Sequence, residues 1–105
     1  MQLRREAGLA AEPTRFSPVG LTLSGAGRVE DVFGYEEGLW QVQDEAAQLV
    51  GLYAAIPDGA RVLDACAAPG GKACHLAERH DVVALDLHAA KLHRIEREAE
   101  RLGLA

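Results

Sequence analysis

The sequence predicts an α/β fold, the first half of a doubly wound parallel sheet. Three observations carry this reading. Two short apolar runs, Arg61 to Ala65 and Val82 to Leu87, read as buried strands. Each precedes a segment of helical periodicity, about 71–79 and 88–102. Between the first strand and its helix lies a loop of small residues, Cys66-Ala67-Ala68-Pro69-Gly70-Gly71, where a ligand can approach the backbone closely. Right-handed crossover makes the two strands of this βαβα unit parallel neighbours. Such a sheet needs further strands and helices on both faces.

The bulk numbers suit that fold. With 105 residues, 49% hydrophobic and 26% charged, the chain is sized for one small domain with a modest core. No apolar run approaches the ~20 residues of a membrane helix. The N-terminus, Met1 to Ala7, has no apolar signal core, so a cytoplasmic protein without membrane association is expected. The net charge of −5 argues against strong nucleic-acid binding by this stretch alone, because affinity for phosphates rests on Lys and Arg. A more basic segment elsewhere could still grip a nucleic acid. Cys66 and Cys74 match neither a zinc nor a redox spacing, and reduced thiols are expected. His75, His80, His88 and His93 form no helical i, i+4 pair, so no metal is expected.

Taken in order, residues 1–10 read as a short helix ended by Gly8 and Pro13. Leu21-Thr22-Leu23-Ser24 alternates as a half-buried strand, and Gly25-Ala26-Gly27 marks a turn. Val29 to Phe33 reads as a helical turn. Gly34 and Gly38 bracket a loop with a solvated Glu36-Glu37 pair. Leu39 to Val42 is expected as a short strand. An amphipathic helix over 43–53 should bury Val42, Ala46, Leu49, Val50 and Tyr53. Asp44 is placed to cap it or to meet its positive end. Pro57-Asp58-Gly59 turns the chain into the first parallel strand. In the helix at 71–79, Ala73, Leu76 and Ala77 should face inward. In the last helix, Leu92, Ile95, Ala99 and Leu102 should do so. Arg94 and Glu98 are spaced to pair on that helix, and Gly103 should cap it. Residues 1–38 thus form a connecting α+β segment, and 39–105 the front half of the parallel domain.

Three ligand classes compete for the loop. A nucleoside-triphosphate loop needs a glycine four intervening residues before Gly-Lys and a Ser or Thr after it. Gly71-Lys72 has Cys66 and Ala73 there. A dinucleotide fold wants Gly-x-Gly-x-x-Gly, but Gly70 and Gly71 are adjacent with no glycine near Ala73 or Cys74. The third pattern is acid-x-Gly-x-Gly-x-Gly, the S-adenosylmethionine (SAM) loop of Rossmann-like methyltransferases. Set on Asp64, its glycine positions fall on Cys66, Ala68 and Gly70, two of them replaced by other small residues.

Asp64-Ala65-Cys66-Ala67-Ala68-Pro69-Gly70-Gly71-Lys72 resembles the cofactor loop of the Sun/Fmu/Nop-type RNA (cytosine-5) methyltransferases, most of all those acting on bacterial 16S ribosomal RNA. The likeness also covers Val42 to Gln48, Ala84-Leu85-Asp86 and Arg101 to Leu104, and loosely Arg4 to Leu9. It implies a partial Rossmann-like SAM-dependent methyltransferase fold. It implies that Cys66, Ala67, Ala68, Pro69, Gly70, Gly71 and Lys72 wrap SAM, and that Asp86 takes its ribose hydroxyls. S-adenosylhomocysteine would be the product and small-subunit ribosomal RNA the partner. Asp86 also fits the general position of a ribose-binding acid at a strand end, or that of a simple cap ahead of the long helix. Asp64 is expected to anchor the loop through backbone N–H groups, and Gln43 and Asp44 to position the helix beside the pocket. Lys72 either reaches the active site or is a solvated lysine. The resemblance puts the nucleophilic cysteine in a later segment, so Cys66 and Cys74 are not catalytic and this stretch alone should be inactive. Two other functions fit the residues: a SAM-dependent methyltransferase acting on protein or small molecules, and a non-catalytic docking module.

Overall fold

The computed structural model describes residues 10–25 and 27–104. The helix expected over 1–10 lies outside the described residues except at Ala10, which opens a strand. Strand β1 (Ala10–Pro13) pairs antiparallel with β2 (Leu21–Ser24), with Ala11 opposite Leu23. The β2 strand forms where expected, with Leu23 half-buried but Leu21 exposed. Its partner was missed because Ala10–Pro13 has no alternating pattern and ends in a proline, which only an edge strand tolerates. A single 3-10 turn, Val29–Asp31, follows as expected.

The remaining elements are α1 (Glu45–Tyr53), β3 (Arg61–Asp64), α2 (Gly71–Ala77), β4 (Asp81–Ala84) and α3 (Ala89–Arg101). β3 and β4 are parallel, with Val62 opposite Val82 and Leu63 opposite Val83. β4 runs from Asp81 to Ala84 rather than from Val82 to Leu87. Two further bonds, Leu85 N–H to Asp64 and Ala67 N–H to the Leu85 carbonyl, carry the pairing into the loop.

The core lies on one side of this sheet. Ala67, Ala73 and Ile95 are buried together, with Ala68, Val82, Ala84 and Leu92 packed against them. Helix α2 packs on both α1 and α3. The opposite face carries Leu63, Val83 and Leu85, which are 61%, 46% and 49% exposed. The strands are therefore not buried on both faces as expected. Alternation alone decides which residues meet the helices, and in a doubly wound sheet helices cover the second face as well.

Helix α1 corrects a second expectation. Val42, Ala46, Val50 and Tyr53 are exposed, and Leu49 is half-buried. The residue α1 buries is Gln48, held by Ser17 Oγ, which donates to its Oε1 at 2.6 Å, while Gln48 Nε2 donates to the Gln43 carbonyl. Gly51 packs against His75 and Leu76 of α2. Polar anchoring to the hairpin loop and close approach to α2 set the rotation of α1, not its apolar stripe. Asp44 is the N-cap residue by backbone, yet its side chain is exposed and bonds no helix N–H. The carboxylate that acts is Glu45, which accepts the N–H groups of Phe16 and Ser17 at 2.8 and 2.9 Å. Those bonds hold its carboxyl below the usual range, Ser17 contributing most, then Phe16 and the Thr14 side chain. Leu39–Val42 is not a strand, having no partner among the described residues. Instead Trp40 Nε1 donates to the Phe33 carbonyl at 2.9 Å.

Helix α3 follows the expected face, with Ile95 buried and Leu92, Ala99 and Leu102 half-buried. It ends in a Schellman motif, Gly103 N–H to Glu100 and Leu104 N–H to Ala99. Glu98 pairs with Arg101 rather than Arg94. Arg101 also donates to the Tyr35 carbonyl, and its guanidinium lies 3.9 Å from the centre of the Tyr35 ring. The Glu98 bond raises the Arg101 pKa further. Gly38, with φ +73°, packs directly on the Arg101 carbonyl, where any side chain would collide. The loop around Tyr35 is thus clasped to the end of α3.

Candidate functional site

The loop between β3 and α2 is built by three devices. At its start, Asp64 is 4% exposed, and its Oδ1 accepts the Cys66 N–H at 3.2 Å and the Lys72 ammonium at 2.6 Å. In the middle, Ala67 is buried in the core and Ala68 N–H donates to Asp86 Oδ2 at 3.2 Å. At its end, Gly70 has φ +113°, and a Cβ there would sit 3.2 Å from Ile95 Cγ1 and 3.3 Å from Ile95 Cα. Only glycine takes that backbone shape freely this close to α3.

Helix α2 begins at Gly71, and its first intrahelical bond runs from Cys74 N–H to the Gly70 carbonyl at 2.8 Å. The N–H groups of Gly71, Lys72 and Ala73 therefore have no acceptor within the helix. Asp86 stands just past β4. Its Oδ1 accepts the His88 N–H at 3.1 Å. That bond is the main reason its carboxyl sits below the usual range. The Ala68 bond and the charges of Lys91 and His88 lower it further, and partial burial opposes them. Each carboxylate oxygen keeps a second lone-pair site after one such bond. The acid is ionised, fixed in direction, and able to accept again.

The residues expected to form the site are thus brought together. Ala68 and Asp86, 18 positions apart, are in direct contact. Gly70 and Ala67 are buried, Gly71, Lys72 and Ala68 half-buried, and Cys66 and Pro69 exposed. Asp64 anchors the loop as expected through the Cys66 N–H. Lys72 is not a solvated lysine, since it folds back onto Asp64 with its side chain 33% exposed. Gln43 lies beside the loop, 3.7 Å from where a Gly71 side chain would begin. Sequence reasoning missed Ile95, the wall against Gly70. Its position on the inward face of α3 was legible, but not which loop it would meet. Cys74 is 2% exposed, and burial raises its thiol pKa, which makes it a poor nucleophile. Among the described residues no group of three or more His, Cys, Asp or Glu could hold a metal ion, and no helix is long and apolar enough to cross a membrane.

A parallel strand–loop–helix–strand–helix, with a glycine-cradled loop and an acid closing it from the second strand, defines the first unit of a Rossmann-like methyltransferase fold. The same fold occurs in the crystal structure of PH0851, which is 27% identical with a TM-score of 0.88; the match covers 99% of this chain and 24% of that one. The family model described as 16S rRNA methyltransferase RsmB/F matches residues 52–105, and the chain belongs to that family. Ribosomal RNA small subunit methyltransferase B of Pseudomonas syringae pv. tomato is 46% identical over 108 residues, 99% of this chain and 24% of that protein. The protein of the same name from Vibrio cholerae serotype O1 is 39% identical over 105 residues, 97% of this chain and 24% of that protein. The chain thus spans about a quarter of the length of these curated relatives.

Proposed function

We propose that this chain is the cofactor-binding portion of an enzyme that methylates carbon 5 of a cytosine in 16S ribosomal RNA, with SAM as donor. The observation that carries the reading is the Ala68–Asp86 contact, which joins the loop to the acid at the next strand end. The residues fit the donor. Gly70 lets the loop pack closely on Ile95 at the start of α2, whose first N–H groups have no acceptor within the helix. The ionised Asp86 suits a pair of ribose hydroxyls. Cys66 to Lys72 would wrap the methionine and ribose parts, while Asp64 and Ile95 hold the loop in shape. When bound, SAM supplies an electrophilic methyl group. The cytosine must leave its stack to meet it.

Cys66 and Cys74 are not the nucleophile in this reading. Cys74 is sealed in the core with a raised pKa. Cys66 is an exposed loop residue whose N–H is engaged by Asp64. Residues 1–38 would lie on the RNA side, held to the cofactor unit by the Arg101 clasp and by Glu45.

Calorimetric titration of SAM into the full-length parent enzyme and its Asp86→Ala variant tests the cofactor assignment. Binding by the parent and a loss of roughly 1.5–3 kcal/mol in the variant are expected for a charge-assisted hydrogen bond. Equal heats for the two proteins would sink the ribose assignment. Mapping of 5-methylcytosine in a 16S transcript incubated with enzyme and SAM tests the reaction.

A further inference from the structure

Helix α3 touches the cofactor loop at two places and the Tyr35 loop at a third. Its N-cap residue is His88, whose N–H is held by Asp86, the acid that also receives the Ala68 N–H. In its middle, Ile95 stands directly against Gly70. At its last residue is Arg101, whose side chain is only 13% exposed despite its charge. The guanidinium donates through Nε and Nη2 to the two Glu98 oxygens and through Nη1 to the Tyr35 carbonyl, and it lies over the Tyr35 ring. The Tyr35 loop is itself braced, since that ring meets Trp40 edge-on at 5.4 Å and Trp40 is bonded to the Phe33 carbonyl. A planar fork held by a carboxylate, a carbonyl and an aromatic face has one geometry, so the joint is rigid.

We propose that Arg101 is a positioning residue for the methyl donor: by fixing the far end of α3 it sets how Ile95 backs Gly70 and where Asp86 stands. The inference rests on the functional reading above. The reason is mechanical. A helix of 13 residues is a rod of roughly 20 Å. The core grips it in the middle, at Ile95 and the half-buried Leu92. A rod gripped in the middle tilts unless an end is fixed as well. The Ile95 contact with Gly70 and the Asp86 bond to Ala68 are both close, and tightly packed groups pass a displacement on rather than absorb it. A tilt of α3 therefore reaches both sides of the loop. Lysine at position 101 would keep the charge but lose the fork and the stacked plane.

The test uses the full-length parent enzyme with Arg101→Met, Arg101→Lys and Tyr35→Leu variants. SAM affinity is measured by calorimetry well below each melting temperature, so that unfolding takes no share of any loss. KM for SAM and kcat are read on a 16S transcript. Arg101→Met should bind SAM about 5-fold more weakly, the scale on which residues touching neither ligand alter a coupled site. The change should lie in KM for SAM and not in kcat, as for a lost contribution to binding. Arg101→Lys should fall between Arg101→Met and the wild type. Tyr35→Leu removes the ring but keeps the accepting carbonyl, so its loss should be smaller; it decides the matter if Arg101→Met does not fold. Wild-type SAM affinity in folded variants, with only the melting temperature lowered, overturns the proposal and leaves the clasp as a fastening of the Tyr35 loop alone. A fall in kcat with KM for SAM unchanged overturns it too. In both cases the wild type still binds SAM, so only this inference falls. If the wild type binds no SAM, the functional reading falls with it.

Discussion

Lys72 reaches back from the first turn of α2 to within 2.6 Å of Asp64 at the end of β3, so one ion pair spans the whole loop between β3 and α2. Asp64 is almost wholly buried, and its Oδ2 has no partner among the described residues. The pair is therefore a structural brace whose two halves are unequal. Lys72→Met leaves a buried carboxylate with one N–H bond and should cost roughly 3 kcal/mol, the lower end for a broken buried pair because Lys72 is partly exposed. Asp64→Asn should cost less, since the freed lysine can reach water. Urea unfolding of the parent and both variants checks the order. The double variant should cost less than the sum, as expected for residues in contact.

Gly70→Ala should damage the loop twice. Its φ of +113° is strained for alanine, and the new methyl presses on Ile95. A loss of roughly 1–3 kcal/mol is expected from the backbone alone. SAM affinity should fall with it. Adding Ile95→Val should relieve little of the loss, because valine keeps the Cγ1, Cα and Cβ atoms that the new methyl meets and leaves φ unchanged. Urea unfolding and SAM titration of Gly70→Ala check both losses, and unchanged values for either would count against this account of the loop.

Acid should loosen the loop. Asp86 has a carboxyl pKa lowered first by the His88 N–H and further by the Ala68 N–H. A lowered native pKa means that the unfolded chain takes up the proton first. The stabilisation is therefore complete above the unfolded value of about 4 and is lost as pH falls through the native value. Glu45 adds a second contribution of the same sign through Ser17 and Phe16. Unfolding free energy measured from pH 6 downward should fall more steeply in the wild type than in Asp86→Asn.

The two thiols should differ sharply toward an alkylating reagent at neutral pH. Cys66 is exposed, whereas Cys74 is buried with its pKa raised chiefly by that burial. Peptide mapping of the native enzyme should find Cys66 modified and Cys74 intact until denaturant is added. Saturating SAM should slow the Cys66 reaction if the loop wraps the donor. Equal labelling with and without SAM counts against that placement.

Much of this was legible in the chain because it rests on local rules. Small residues between an apolar run and a helical segment predict a tight loop opening on a helix N-terminus. The acid of Asp86, one strand later, is placed by parallel topology alone. Gly103 past a periodic helix predicts the cap that forms. These features depend on backbone geometry and on spacing of a few residues, and the sequence by itself determined them.

The tertiary structure decided what depends on distant partners. The rotation of α1 followed Gln48 and Glu45 bonding to a hairpin loop about 30 residues earlier, so a stripe of Val42, Ala46 and Val50 stayed exposed. The wall behind Gly70 came from Ile95, and the Tyr35 loop found its anchor in Arg101, 66 positions away. Lys72 found its partner in the buried Asp64 at the other end of the loop. Hydrophobic periodicity says only that a face is apolar. Which neighbour covers it, and which polar group must be satisfied first, is set by chain packing, where leaving one buried polar group unpaired can cost as much as exposing an apolar side chain.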